Sequence, residues 1–143
     1  MADAVLIIGP SLALGAIIGI YEAVVLHRDV AIPTHRFGHM VHAFLLSIAF
    51  VFAVMNVEWV FSVIPALGSI PLIGIPLVFQ IAIGLIAAVK IHAVSRVIKS
   101  NVGGLGSGLG ETWFHSILIG GLIIAAPYVY PYVQSMLPAW LNF

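Results

Sequence analysis

Six histidines and a sparse set of acids could support proton or metal chemistry in this chain. His39 and His42 form an i, i+3 pair, which sets both imidazoles on one side of a helix. His92, His115 and Glu22 lie at comparable places in three other apolar runs. Imidazole is a common ligand for zinc, copper, iron and haem, and beside a carboxylate it can pass a proton. Only Glu22 and Glu111 accompany these histidines, so a di-metal carboxylate centre lacks acids; neither HExxH nor Glu-x-x-His occurs. Cys is absent, which removes thiolate and cysteine-ligated cluster chemistry. The expectation is a polar cluster of Glu22, His39, His42, His92 and His115, open to a proton, a metal, haem or a quinone head group. The plainer reading is that histidine suits a headgroup boundary, and His27 and His35 belong there.

The elements that must carry these residues are membrane helices. The chain has 143 residues, 62% apolar and only 7% charged, with a mean hydropathy of +1.21. Soluble domains average about 25% charged residues, so composition alone points to a bilayer. Zero net charge and the lack of basic runs argue against nucleic acid as a partner. A spanning helix takes about 20 mostly apolar residues. Stretches of that kind run over residues 4–26, 39–64, 70–92 and 112–133. The first begins after Asp3 rather than a basic segment, so it reads as a retained helix and not a secretory signal. Pro65, Gly68 and Pro71 mark a turn, Pro76 is placed to kink the third stretch, and Pro127 and Pro131 to bend the fourth. The fold class is therefore all-α: one polytopic domain with four transmembrane helices in an up-down bundle.

All five bases (Arg28, Arg36, Lys90, Arg96 and Lys99) fall in or beside two connectors, His27–Gly38 and Ala93–Glu111. The positive-inside rule puts these connectors in the cytoplasm and both termini outside a cell membrane. Trp59, Phe61, Tyr128, Tyr130, Tyr132 and Trp140 then form an outer aromatic belt. The glycine-rich stretch 101–110 has neither a GK[ST] ending nor a strand before it, so it reads as a connector and not a phosphate loop.

Small residues at i, i+4 spacing let helices approach closely in lipid. Gly15 and Gly19 with Glu22 mark such a face on the first helix, and Gly84 with Ala88 and His92 on the third. Gly120 marks one on the fourth, with Thr112 and Ser116. On the second helix, His39, His42, Leu46, Ala49, Ala53 and Asn56 share a face expected to meet protein. A carboxylate at the depth of Glu22 expects a partner or a proton, and Lys90 from another helix is one choice. Locally, Thr34-His35-Arg36-Phe37-Gly38 resembles the entry segment of succinate dehydrogenase cytochrome b subunits, which implies quinone chemistry over those five residues.

Three functions follow as expectations. The leading one is a small integral subunit of a larger membrane complex, part of a redox or metal-dependent enzyme and accessory rather than itself catalytic. Its partners would be lipid and other membrane subunits or copies of itself. The others are a homo-oligomeric proton or cation channel or carrier using Glu22 and the histidines, and a haem- or quinone-binding cytochrome-like protein.

Overall fold

A computed structural model describes residues 6–29, 33–100, 113–136 and 138–141, with side-chain surroundings for 6–24, 40–93, 113–136 and 138–140. The described residues are mostly helical, joined by short turns, without strands. Helix α1 spans Gly9–Asp29 and α2 spans Pro33–Met55. Two short helices follow, α3 over Val57–Val63 and α4 over Pro65–Ser69. Helix α5 spans Pro76–Ser100, α6 spans Trp113–Val133, and two single 3₁₀ turns lie near the C-terminus.

Prolines explain several of these boundaries. Pro33 and Pro76 each open a helix, where the missing N–H would be unpaired in any case. Pro76 therefore starts α5 instead of kinking a span begun at residue 70. Pro10 sits in the first turn of α1 for the same reason. Pro127 and Pro131 both lie inside α6, which continues through them. The polar connector expected over His27–Gly38 is shorter in the fold, because α1 runs to Asp29 and α2 resumes at Pro33.

Two antiparallel seams hold the helices. A methyl added to Gly15 would stand 2.7 Å from the Ile48 Cα, and one on Gly19 would stand 3.0 Å from the Phe44 Cα. Numbers that rise on α1 meet numbers that fall on α2, so the pair is antiparallel. In the second seam a methyl on Gly120 would stand 2.6 Å from the Gly84 carbonyl oxygen and 3.0 Å from the Ala88 Cβ. The two seams join because α2 touches both α5 and α6, and α1 touches α6. Ile18, Val51, Val54, Ala87, Ile91, Ile119 and Ile123 pack at the centre. Outward-facing Ile17, Leu45, Leu85, Val89 and Ile117 give the exterior an apolar surface suited to acyl chains.

Two helices, α5 and α6, are long and apolar enough to cross a membrane; counting the bent pair α2–α3 as one span gives a third. The expected continuous second span over 39–64 is broken, for α3 turns away from α2 by 89°. The cause is Asn56. Its side chain accepts from the Ile7 N–H at 2.6 Å and donates to the Ile7 and Phe52 carbonyls at 3.1 and 2.9 Å. These bonds tie the last turn of α2 to the backbone entering α1. The bend parts the end of α2 from the N–H groups of a continuing turn. Gln80 donates its Nε2 to the Val54 carbonyl there at 3.0 Å, and Tyr128 donates to Gln80 Oε1 at 2.7 Å.

Candidate functional site

The polar residues of the packed helices fall into two layers on either side of the apolar centre. The first lies toward the end where α1 finishes, α2 begins and α5 carries Lys90, Arg96 and Lys99. Ile18, Val51, Ile91 and Ile119 belong to one packed cluster. Moving toward the basic end, one turn beyond Ile18 is Glu22 and one turn beyond Val51 is Ser47. His92 follows Ile91, and Ser116 precedes Ile119 by three residues. Glu22, Ser47, His92 and Ser116 thus share a level, and all four are buried.

Glu22 is only 3% exposed, and its Oε2 accepts from the Ser47 hydroxyl at 2.6 Å. It comes to face Ser47 because Gly15 and Gly19, on the same stripe of α1, bring the two backbones together. Ser47 therefore takes the place expected of Lys90, whose side chain is exposed on α5. Nothing in the sequence pattern paired the two, although a lone hydroxyl within the apolar run of α2 is itself a weak signal.

His92 is 7% exposed and stacks on Trp113, with ring centroids 3.8 Å apart and planes inclined by 13°. Trp113 reaches it because α6 enters antiparallel beside α5, drawn close at Gly84 and Gly120. Both ring nitrogens of His92 are buried without a hydrogen-bond partner, as are His115 Nδ1 and Ser116 Oγ. A buried polar atom left unmet costs about 1–3 kcal/mol. These four atoms are the concentrated polar debt of the fold, and all belong to one end of the α5–α6 seam. His115 is half-buried and meets Phe114 edge to face.

The expected cluster gathers only in part. His42 is exposed, because α2 turns Ala43, Ser47, Val51 and Val54 inward. On the stripe read as a packing face, Ala49 is exposed and Leu46 and Ala53 are half-buried. The inward face of α2 is rotated away from His42. The remaining packing positions, Gly15, Gly19, Gly84, Ala88 and Gly120, are buried at the seams. The side chains of His27, His35, His39 and Glu111 lie outside the described residues, as does the whole Thr34–Gly38 comparison. Among the described residues, no three His, Asp or Glu side chains gather as a metal would need.

The second layer was not anticipated as a unit. Asn56 and Gln80 are buried, 3% and 8% exposed, and with Tyr128 they form the paired network at the opposite end. Ser47 and Asn56 stand nine residues apart on α2, about 13 Å along its axis. Beside Asn56 opens a cavity of about 370 Å³ lined by Ile7, Glu58, Trp59, Pro76 and Gln80 among others. No protein-family model, curated protein sequence or solved structure matches this chain, so no relative's function bears on these residues.

Proposed function

We propose that the chain is a four-span integral membrane protein, a small non-catalytic subunit of a larger membrane assembly. Its working site would be the polar layer of Glu22, Ser47, His92 and Ser116 next to basic, cytoplasmic connectors. The observation that carries this reading is the open side of α2. There His42 and Ala49 are exposed, flanked by half-buried Leu46 and Ala53. Small and polar residues on an outward helix face suit another helix better than they suit lipid.

Because the chain has no Cys, single cysteines report contacts without background. Ala49→Cys in native membranes should crosslink to a different polypeptide, whereas Ile117→Cys, on an exposed face of α6, should not. Self-crosslinking at Ala49 alone, with a pure homo-oligomer by native mass spectrometry, would replace the subunit reading with self-assembly.

A second reading, a homo-oligomeric proton or cation conductor, draws on the buried Glu22–Ser47 pair. Ile119 and Ile123 are fully buried between the two polar layers, which opposes a path through a single chain. Flux into liposomes that is abolished by Glu22→Gln would favour it. A redox or metal role would need ligands from the partner or from residues outside those described.

A further inference from the structure

The cavity at the helix break has its own chemistry, separate from the polar layer at the basic end. Its walls are held apart by two amides, each tied to the fold by hydrogen bonds. The Asn56 carbonyl oxygen is engaged by Ile7, and its NH₂ donates twice. Gln80 donates to Val54 and accepts from Tyr128. These residues build the cavity and leave its recognition to others. Glu58 lines it with an exposed carboxylate that no hydrogen bond or ion pair engages among the described residues. Trp59 lines it with an aromatic ring, braced edge to face by Phe52 at 5.6 Å. Ile7, Val54, Met55, Val57 and Pro76 supply apolar wall.

We infer that this cavity binds a small organic cation: an ammonium group carrying an apolar body. All five Lys and Arg residues belong to the other end of the helices, so the chain offers Glu58 no basic side chain of its own there. An ammonium supplies the missing charge and finds a π-face in Trp59, while its apolar body meets the hydrocarbon walls. A hard metal ion fits poorly, since it takes six or more oxygens and Glu58 is the one carboxylate among the described residues of this lining. A volume of about 370 Å³ admits a ligand of about ten heavy atoms.

The test is equilibrium binding of radiolabelled 2-phenylethylammonium to the full chain in nanodiscs of zwitterionic lipid, with empty nanodiscs as background. Saturable binding is expected, with 2-phenylethanol, the neutral analogue of similar shape, a poor competitor. Glu58→Gln should weaken binding by about tenfold, the scale of a lost charge-assisted contact, while Glu58→Asp retains most of it. Trp59→Leu should weaken it by roughly two- to fivefold. Helical circular dichroism of each variant guards against misfolding, which is not expected at exposed Glu58. Binding no greater than to empty nanodiscs overturns the assignment. So does equal competition by the alcohol, displacement by dilute calcium, or an identical loss in Glu58→Gln and Glu58→Asp.

Discussion

The two polar layers differ in how completely their buried groups are paired. At the helix break, Asn56 and Gln80 make five hydrogen bonds between them, and each joins chain segments or holds a carbonyl near the bend. At the basic end, Ser47 and Glu22 share one bond, while His92, His115 and Ser116 hold four buried atoms without partners. Paired groups fix a backbone. Unpaired ones lower stability unless something outside the chain meets them. The first layer therefore reads as architecture that shapes a cavity, and the second as an internal layer whose unmet atoms lower stability.

If this contrast is right, removing a paired polar group should destabilise and removing an unmet one should not. The largest loss is expected for Asn56→Leu, which strands the Ile7 N–H and removes a second donor from the Ile7 and Phe52 carbonyls; unfolding in detergent should show a loss of about 2–3 kcal/mol. A loss below about 0.5 kcal/mol would mean the break is set by something other than Asn56. Next comes the seam that delivers His92 to Trp113. Gly120→Ala would place a methyl against the Gly84 carbonyl oxygen and should destabilise by about 1–3 kcal/mol. Its neighbour Gly121 has nothing within 4 Å of an added methyl, so Gly121→Ala should be neutral or slightly stabilising. Equal effects at both glycines would refute the close α5–α6 approach.

Ser47→Ala comes third. It leaves the Glu22 carboxyl buried without its only hydrogen bond among the described residues, and about 1–2 kcal/mol should be lost. Glu22→Gln keeps an oxygen facing the Ser47 hydroxyl and should lose less. If the two variants are equally damaging, charge rather than the hydrogen bond governs this position.

The sequence was legible where small residues and spacing coincide. Gly15, Gly19 and Glu22 read as one inward stripe, and so do Gly84, Ala88 and His92, because helical spacing forces them onto one side. The spacing of polar and small residues on α2 points to the stripe through His42 and Ala49, both of which are exposed. Ala43, Ser47, Val51 and Val54 are the inward residues, and among Phe, Val and Ile their small contrast in polarity was easily overlooked. The break at Asn56 was hidden for a different reason. No Pro or Gly lies between Gly38 and Pro65, and the bend depends on a hydrogen bond to Ile7, forty-nine residues away. Long-range causes of that kind leave no periodic trace in a sequence.

The smallest expected change is the one that tests the contrast most directly. His92→Phe preserves a flat ring to stack on Trp113 and removes both unmet nitrogens, and Ser116→Ala removes an unmet hydroxyl. In the isolated chain both variants should hold or gain stability, by about 0.5–1 kcal/mol, because groups that satisfied nothing are gone. In native membranes the same variants should leave recovery of whatever crosslinks through Ala49 unchanged, since these atoms are buried away from the face that Ala49 presents. Gain in isolation with unchanged recovery in the membrane identifies these atoms as an internal cost of the packed layer. Loss of stability in the isolated chain would instead mean that water or the chain itself already satisfies them, and the two ends would then differ only in degree.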